Sequence, residues 1–185
     1  MGEDQLVARL RRGEAAAFDA IYARTHRRIY NFLVRLSGRR DVAEDLFQET
    51  WLKLARHAPK LRDDSDVEAW LFAVARNLYF SHVRGADADD ARDDSAELAD
   101  EGAPPEQQAA ARLDLARLER ALAELPAAAR EVLLLVAVDG MDQERAAQVL
   151  GIGYDAVRQR LTRARALLVE RLGDGDRAVA GGDRL

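Results

Sequence analysis

The sequence predicts an all-α protein of two small helical domains, an N-terminal helical bundle and a C-terminal helix-turn-helix domain, joined by an acidic flexible linker. Three observations carry this reading. Ala, Leu, Arg and Glu dominate the 185 residues, β-branched residues are sparse and only four prolines interrupt the chain. Apolar residues recur at steps of three and four through most of its length. One stretch breaks the pattern: Gly85 to Ala111 holds nine acidic residues against Arg92 alone and has almost no large apolar side chain. Such a segment cannot offset its ordering entropy by burial, so it reads as a linker over 85–111. It divides a first domain, 1–84, from a second, 112–172, and the Gly-rich polar end, 173–185, reads as a flexible tail.

In chain order, residues 3–12 suggest a short helix with Leu6, Val7 and Leu10 on one face. Ala15 to Leu36 places Phe18, Ile21, Tyr22, Ile29, Phe32, Leu33 and Leu36 at helical spacing, and Gly38 breaks the helix. Asp41 is read as the cap of a third helix that turns Val42, Leu46, Trp51 and Leu54 inward, sends Asp45, Gln48 and Glu49 outward, and ends at Pro59. A polar loop, Lys60 to Asp66, leads to a fourth helix from Val67 to Val83 with Trp70, Leu71, Val74, Ala75 and Leu78 inward. Beyond the linker, Leu113, Leu115, Leu118 and Leu122 define a helix that stops before Pro126, and Ala127 to Val138 reads as one strongly apolar helix.

Asp139 to Arg165 then reads as helix, sharp turn and helix. Asp142 is an N-cap, and Ala146, Ala147, Val149 and Leu150 make an apolar stripe. Gly151 supplies the left-handed residue that ends the helix, with Ile152 folding back on it. Gly153 restarts the chain, and Val157, Leu161, Ala164 and Leu168 line the buried side of the next helix. Its other side carries Asp155, Arg158, Gln159 and Thr162, flanked by Arg160, Arg163 and Arg165. Arginine serves both phosphate clamping and bidentate guanine recognition, so the pattern points to DNA. The same shape also occurs in pure interaction modules, where the arginines are a solvated face.

The whole-chain charge of −5 conceals this basic face, because the acid is concentrated between Gly85 and Ala111 and the remainder is +3. The absence of cysteine excludes disulfide frameworks and thiolate chemistry. No apolar run approaches the roughly 20 residues that span a bilayer and no signal peptide precedes the first helix, so a cytoplasmic protein with no membrane attachment is expected. Phosphate-binding loops, dinucleotide fingerprints, zinc-protease motifs and nucleophile elbows are all missing. His26, His57 and His82 lack metal-ligand spacing, so no enzyme activity, metal or cofactor is expected. The row Asp45, Gln48 and Glu49 is either plain surface or a docking face. Arg62, Trp70, Arg76, Asn77, Tyr79, Phe80 and Arg84 mix cations with aromatics, the composition that grips single-stranded nucleic acid, unless Trp70 and Phe80 are core.

These motifs together resemble the extracytoplasmic-function sigma factors of bacterial RNA polymerase over about residues 5–84 and 112–171. AEDLFQETWLKL followed by AWLFAVARN is similar to the family's core-polymerase and −10 promoter segments, and LPAAAREVLLLVAVDGMDQERAAQVLGIGYDAVRQRLTRAR to its −35 segment. The resemblance implies an initiation factor with core RNA polymerase, promoter DNA and an anti-sigma factor as partners. It implies that Asp45, Gln48 and Glu49 dock on the polymerase. It places Arg62, Asp63, Asp64, Ser65 and Asp66 at the captured −10 base, and Arg76, Asn77 and Arg84 beside the melted strand. Tyr154, Asp155, Arg158, Gln159 and Thr162 would face the −35 groove, with Arg160, Arg163 and Arg165 at phosphates. Asp139 stands where the family commonly has glutamate, and the acidic linker is expected to imitate nucleic acid in the polymerase's RNA path. From the residues alone, two other readings stay open: a stand-alone helix-turn-helix regulator, and a helical adaptor with no DNA role.

Overall fold

A computed structural model describes the backbone of residues 3–86 and 105–181, and the side chains of residues 5–85 and 112–173. All regular structure among them is helical: α1 (Glu3–Arg11), α2 (Ala15–Ser37), α3 (Arg40–His57), α4 (Val67–Ala86), α5 (Pro105–Ala123), α6 (Ala127–Leu133), α7 (Gln143–Leu150) and α8 (Tyr154–Gly181). A 3-10 turn, Ala58–Lys60, follows α3, and a π turn, Leu134–Val138, follows α6. Helix α4 runs to Ala86 and α5 begins at Pro105, inside the two ends of the expected linker, whose residues 87–104 lie outside the described residues together with the role expected of their aspartates. Helix α8 continues to Gly181, past the point where the sequence suggested a tail.

In the first half α2 is the axis, packing on α1, α3 and α4. Ile21, Ile29, Phe32, Leu33 and Leu36 are buried along it, and Phe32 meets Phe72 of α4 edge to face at 5.2 Å. Gly38 ends α2 with φ 70°, its N–H on the Val34 carbonyl. Asp41 does not cap α3. The cap position is Arg39, whose N–H is taken by Ser37 Oγ at 3.2 Å, and Asp41 sits in the first turn holding the Arg39 side chain. Its carboxylate thus finds a cation two residues back, the Arg39 guanidinium. Tyr22, placed with the inward residues from its spacing, lies at the rim with 38% exposure, against Phe47 and Trp51.

In the second half α6 and α7 pack on α8, and Val132, Leu134, Leu135, Val157 and Ala164 are fully buried. The single helix expected from Ala127 to Val138 opens at its end: the Asp139 N–H reaches back five residues to the Leu134 carbonyl at 2.8 Å. The widened turn also presents the Asp139 carbonyl to Arg28 of α2, which donates to it at 2.8 Å.

The two halves share one continuous cluster of buried apolar side chains. Helix α2 touches α5, α6 and the π turn, and α4 touches α7.

Candidate nucleic-acid interface

Helix α3 separates its faces as the spacing requires. Val42, Leu46, Thr50 and Leu54 are buried, while Asp45 and Gln48 are exposed and Glu49 is half-buried between Lys53 at 3.8 Å and Arg56 at 3.9 Å. Leu52, 49% exposed, continues the same row. Sequence reasoning missed it, although its position seven residues after Asp45, off the buried stripe, was the available signal.

The loop into α4 is folded on itself. The Arg62 N–H donates to Ser65 Oγ at 2.8 Å, the Ser65 N–H returns to the Arg62 carbonyl at 3.1 Å, and the Arg62 guanidinium pairs with Asp64 at 3.1 Å. Asp63 is paired with Arg11 of α1. Asp66 caps α4, taking the Ala69 N–H at 2.9 Å, and also receives the Arg145 fork from α7 at 2.6 and 2.7 Å. Desolvation works to raise the Asp66 pKa, but the Arg145 bonds and the cap amide outweigh it and hold it below the ordinary aspartate value.

On α4, Arg76 does not point freely to solvent. Its Nε donates to Glu131 Oε2 of α6 at 2.6 Å, Nη2 to Oε1 at 3.3 Å, and Nη1 to Asn77 Oδ1 at 3.1 Å, with its guanidinium 4.8 Å over the Phe80 ring. Asn77 and Arg84 are exposed, and Arg84 bonds Ser81 Oγ at 2.9 Å. Trp70 is half-buried, its ring stacked 5.0 Å from that of His57 rather than lost in the core.

The helix-turn-helix is built as its punctuation predicts. The Asp142 carboxylate accepts the Arg145 N–H at 2.8 Å, and Gly151 takes φ 64°. The Ile152 N–H returns to the Ala147 carbonyl at 3.2 Å. With Val157, Leu161 and Ala164 buried, α8 turns Tyr154, Asp155, Arg158, Gln159, Thr162, Arg163 and Arg165 outward. Asp155 lies 3.8 Å from Arg158, whose carbonyl accepts the Thr162 hydroxyl at 3.0 Å. Arg160 alone of the eight is half-buried, 3.5 Å from Glu131 Oε1.

Glu131 does not stand out in the sequence, where it reads as one polar residue entering an apolar helix. It is fully buried between a cation from each half. The described residues hold no cluster of His, Cys, Asp or Glu that could bind a metal, and no helix among them is long and apolar enough to cross a membrane.

An exposed basic recognition helix, a cation–aromatic helix on a second module and an acidic row on a neighbouring helix define a two-module, helix-turn-helix DNA-binding factor. The description of sigma-70 region 2 fits residues 21–88, and that of sigma-70, region 4 fits residues 115–168. The chain is 40% identical over 137 residues to the RNA polymerase sigma factor CnrH of Cupriavidus metallidurans, covering 69% of this chain and 70% of that protein. It is 33% identical over 162 residues to the ECF RNA polymerase sigma factor EcfG of Rhodopseudomonas palustris, covering 82% and 88%. Solved structures of similar fold include two complexes. CnrH in complex with the cytosolic domain of CnrY matches at TM-score 0.71 and 28% identity, covering 93% of this chain and 97% of that one. The sigma factor RpoE in complex with the anti-sigma factor NepR from Bartonella quintana matches at 0.71 and 27%, covering 90% and 98%. The chain belongs to the ECF sigma factors, which direct transcription initiation by RNA polymerase.

Proposed function

We propose that this sigma factor divides its work among three surfaces, acts in the cytoplasm and performs no enzymatic step of its own. Asp45, Gln48 and Glu49, extended by Leu52, hold core RNA polymerase. Arg62 to Asp66 take a −10 base, and Arg76, Asn77 and Arg84 track the melted strand, with the Trp70–His57 stack beside them. Tyr154, Asp155, Arg158, Gln159 and Thr162 read the −35 groove while Arg163 and Arg165 meet phosphates. Arg160, turned toward Glu131, stands apart from these in the free chain.

The observation that carries this reading is the clean division of α8. Its apolar side is sealed in the core, and its polar and basic residues are left on one open face in a chain of overall negative charge. Each module alone is a weak binder; polymerase fixes their separation so that both promoter elements engage together. An inhibitory protein partner is part of the proposal, since one of the similar structures is a complex with an anti-sigma factor.

The test separates the surfaces. Asp45→Ala should weaken binding of the full-length protein to core polymerase, while Arg158→Ala should leave core binding intact and weaken promoter binding by the assembled holoenzyme. A protein that does not bind core polymerase at all would overturn the reading.

A further inference from the structure

A cavity of about 240 Å³ lies where α2 meets the π turn, and none of its residues belongs to the three surfaces assigned above. Its floor is apolar: Phe32 and Leu134 are buried there, and Val138, 47% exposed, stands at the mouth. Its wall is the row Arg28, Asn31 and Arg35, which steps of three and four bring to one face of α2. Each nitrogen of the Arg28 guanidinium is directed to Asp139 or Glu68. The other two side chains are not engaged in this way. Arg35 makes no hydrogen bond among the described residues, and its ion-pair partner, Glu119 Oε1, stands off at 3.7 Å, although only 21% of the Arg35 side chain is exposed. The half-buried Asn31 carboxamide likewise makes no hydrogen bond among the described residues. Polar groups so far withdrawn from water are normally paired, and here two sets of donors face one cavity over an apolar floor.

We infer that this cavity is a binding site for a small organic carboxylate with an apolar body. A planar carboxylate takes two parallel bonds from a guanidinium, and the Arg35 fork has that pair to give. The Asn31 amide adds a third donor along the same row. Phe32, Leu134 and Val138 meet the apolar body. A cavity of about 150 Å³ accepts benzene, so this larger one has room for a ring together with its acid group. A doubly charged phosphate ester is disfavoured, because Asp139 and Glu119 already stand opposite the two arginines.

Asp139 couples the site to pH. Facing it are Arg28 and Arg35 of α2 and Glu68 of α4, while Glu119 of α5 faces Arg35. Protonated, Asp139 leaves the charge of the two arginines to the ligand; ionised, it repels a second carboxylate. Desolvation lifts its pKa to about 6, so binding should weaken as pH rises from 6 to 8.

The test is an amide chemical-shift titration of the full chain with benzoate. Beside it run benzamide, which keeps the ring without the charge, and inorganic phosphate, which keeps the charge without the ring. Benzoate should give saturable shifts centred on residues 31–35 and 134–139, with a dissociation constant on the order of 1 mM for so small a ligand. Its affinity should be about threefold or more lower at pH 8 than at pH 6. Arg35→Gln should weaken binding about tenfold, and Asn31→Ala about threefold. Arg35→Lys, which keeps the charge and loses the fork, should fall between the parent and Arg35→Gln. Val138→Trp, at an exposed position, should close the mouth and abolish binding; it decides the matter if Arg35→Gln fails to fold. Shifts that do not saturate, or that survive both Arg35→Gln and Val138→Trp, would overturn the site. Benzamide binding as tightly as benzoate would overturn the carboxylate, and phosphate binding as tightly would overturn the apolar body. An affinity independent of pH would overturn the part given to Asp139.

Discussion

Two buried carboxylates on one segment, Glu131 and Asp139, are held in different ways. Glu131 receives close, well-aligned bonds from Arg76. Asp139 sits 3.4 Å from Arg28 Nε, in a site also faced by Arg35 of α2 and Glu68 of α4, and desolvation outweighs the arginines and lifts its pKa from the usual 3.8 to about 6. Between those two values the folded chain holds a proton that the unfolded chain has released. The stability this contributes is complete below the unfolded value and is lost as pH rises through the folded one. Asp139→Asn, which never carries the buried charge, should therefore melt at a higher temperature than the parent at pH 8, with the gap closing toward pH 4. A gap independent of pH would show that the site is not titrating. On the open face of α8, Arg163 and Arg165 are expected to act on phosphates. Replacing each with alanine should weaken holoenzyme binding on every promoter alike and reduce the slope of log affinity against log salt by about 1 for each arginine removed. A change confined to particular sequences would place them at bases instead.

At the level of elements, α7 shows how local chemistry sets boundaries. Its first free amides are met by Asp142 and its last carbonyls by the left-handed Gly151 and the returning Ile152. Asp142→Ala should cost about 1 kcal/mol in a urea titration, with no change in the slope of the unfolding free energy. An unchanged midpoint would mean that the cap is idle. Such features were legible in the sequence because each depends on neighbours in the chain: Gly38, Pro59, Asp142, Gly151 and the apolar stripes of α2, α3 and α8 act within a turn or two of themselves. The π turn was not legible, because LLLVAV fits either helix type and the partner of Asp139 lies on α2. The placing of Asp41 as a cap failed because the helix begins one residue earlier, at Arg40, which puts Asp41 inside the first turn. For the sites, the outward faces of α3 and α8 followed from periodicity. The ties on Asp66, Arg76 and Arg160 did not, since Arg145 and Glu131 are far from them in sequence or on another helix.

For the molecule as a whole, the negative net charge and the basic recognition helix are reconciled by where the acid lies. Nine acids between Gly85 and Ala111 leave the rest of the chain positive, so the surfaces meant for nucleic acid are not masked by the total. The continuous core and the charged ties make one body of two modules, whereas reading two promoter elements together requires the modules apart. In the function proposed above, core polymerase separates and spaces them, and initiation follows from that placement. The most direct test is run-off transcription with core polymerase on a genomic fragment library, with and without the protein, followed by mapping of transcript 5′ ends. Discrete protein-dependent starts should share a paired −35 and −10 motif, and Arg158→Ala and Asp45→Ala should abolish them. No protein-dependent start anywhere in the library would contradict a role in promoter selection.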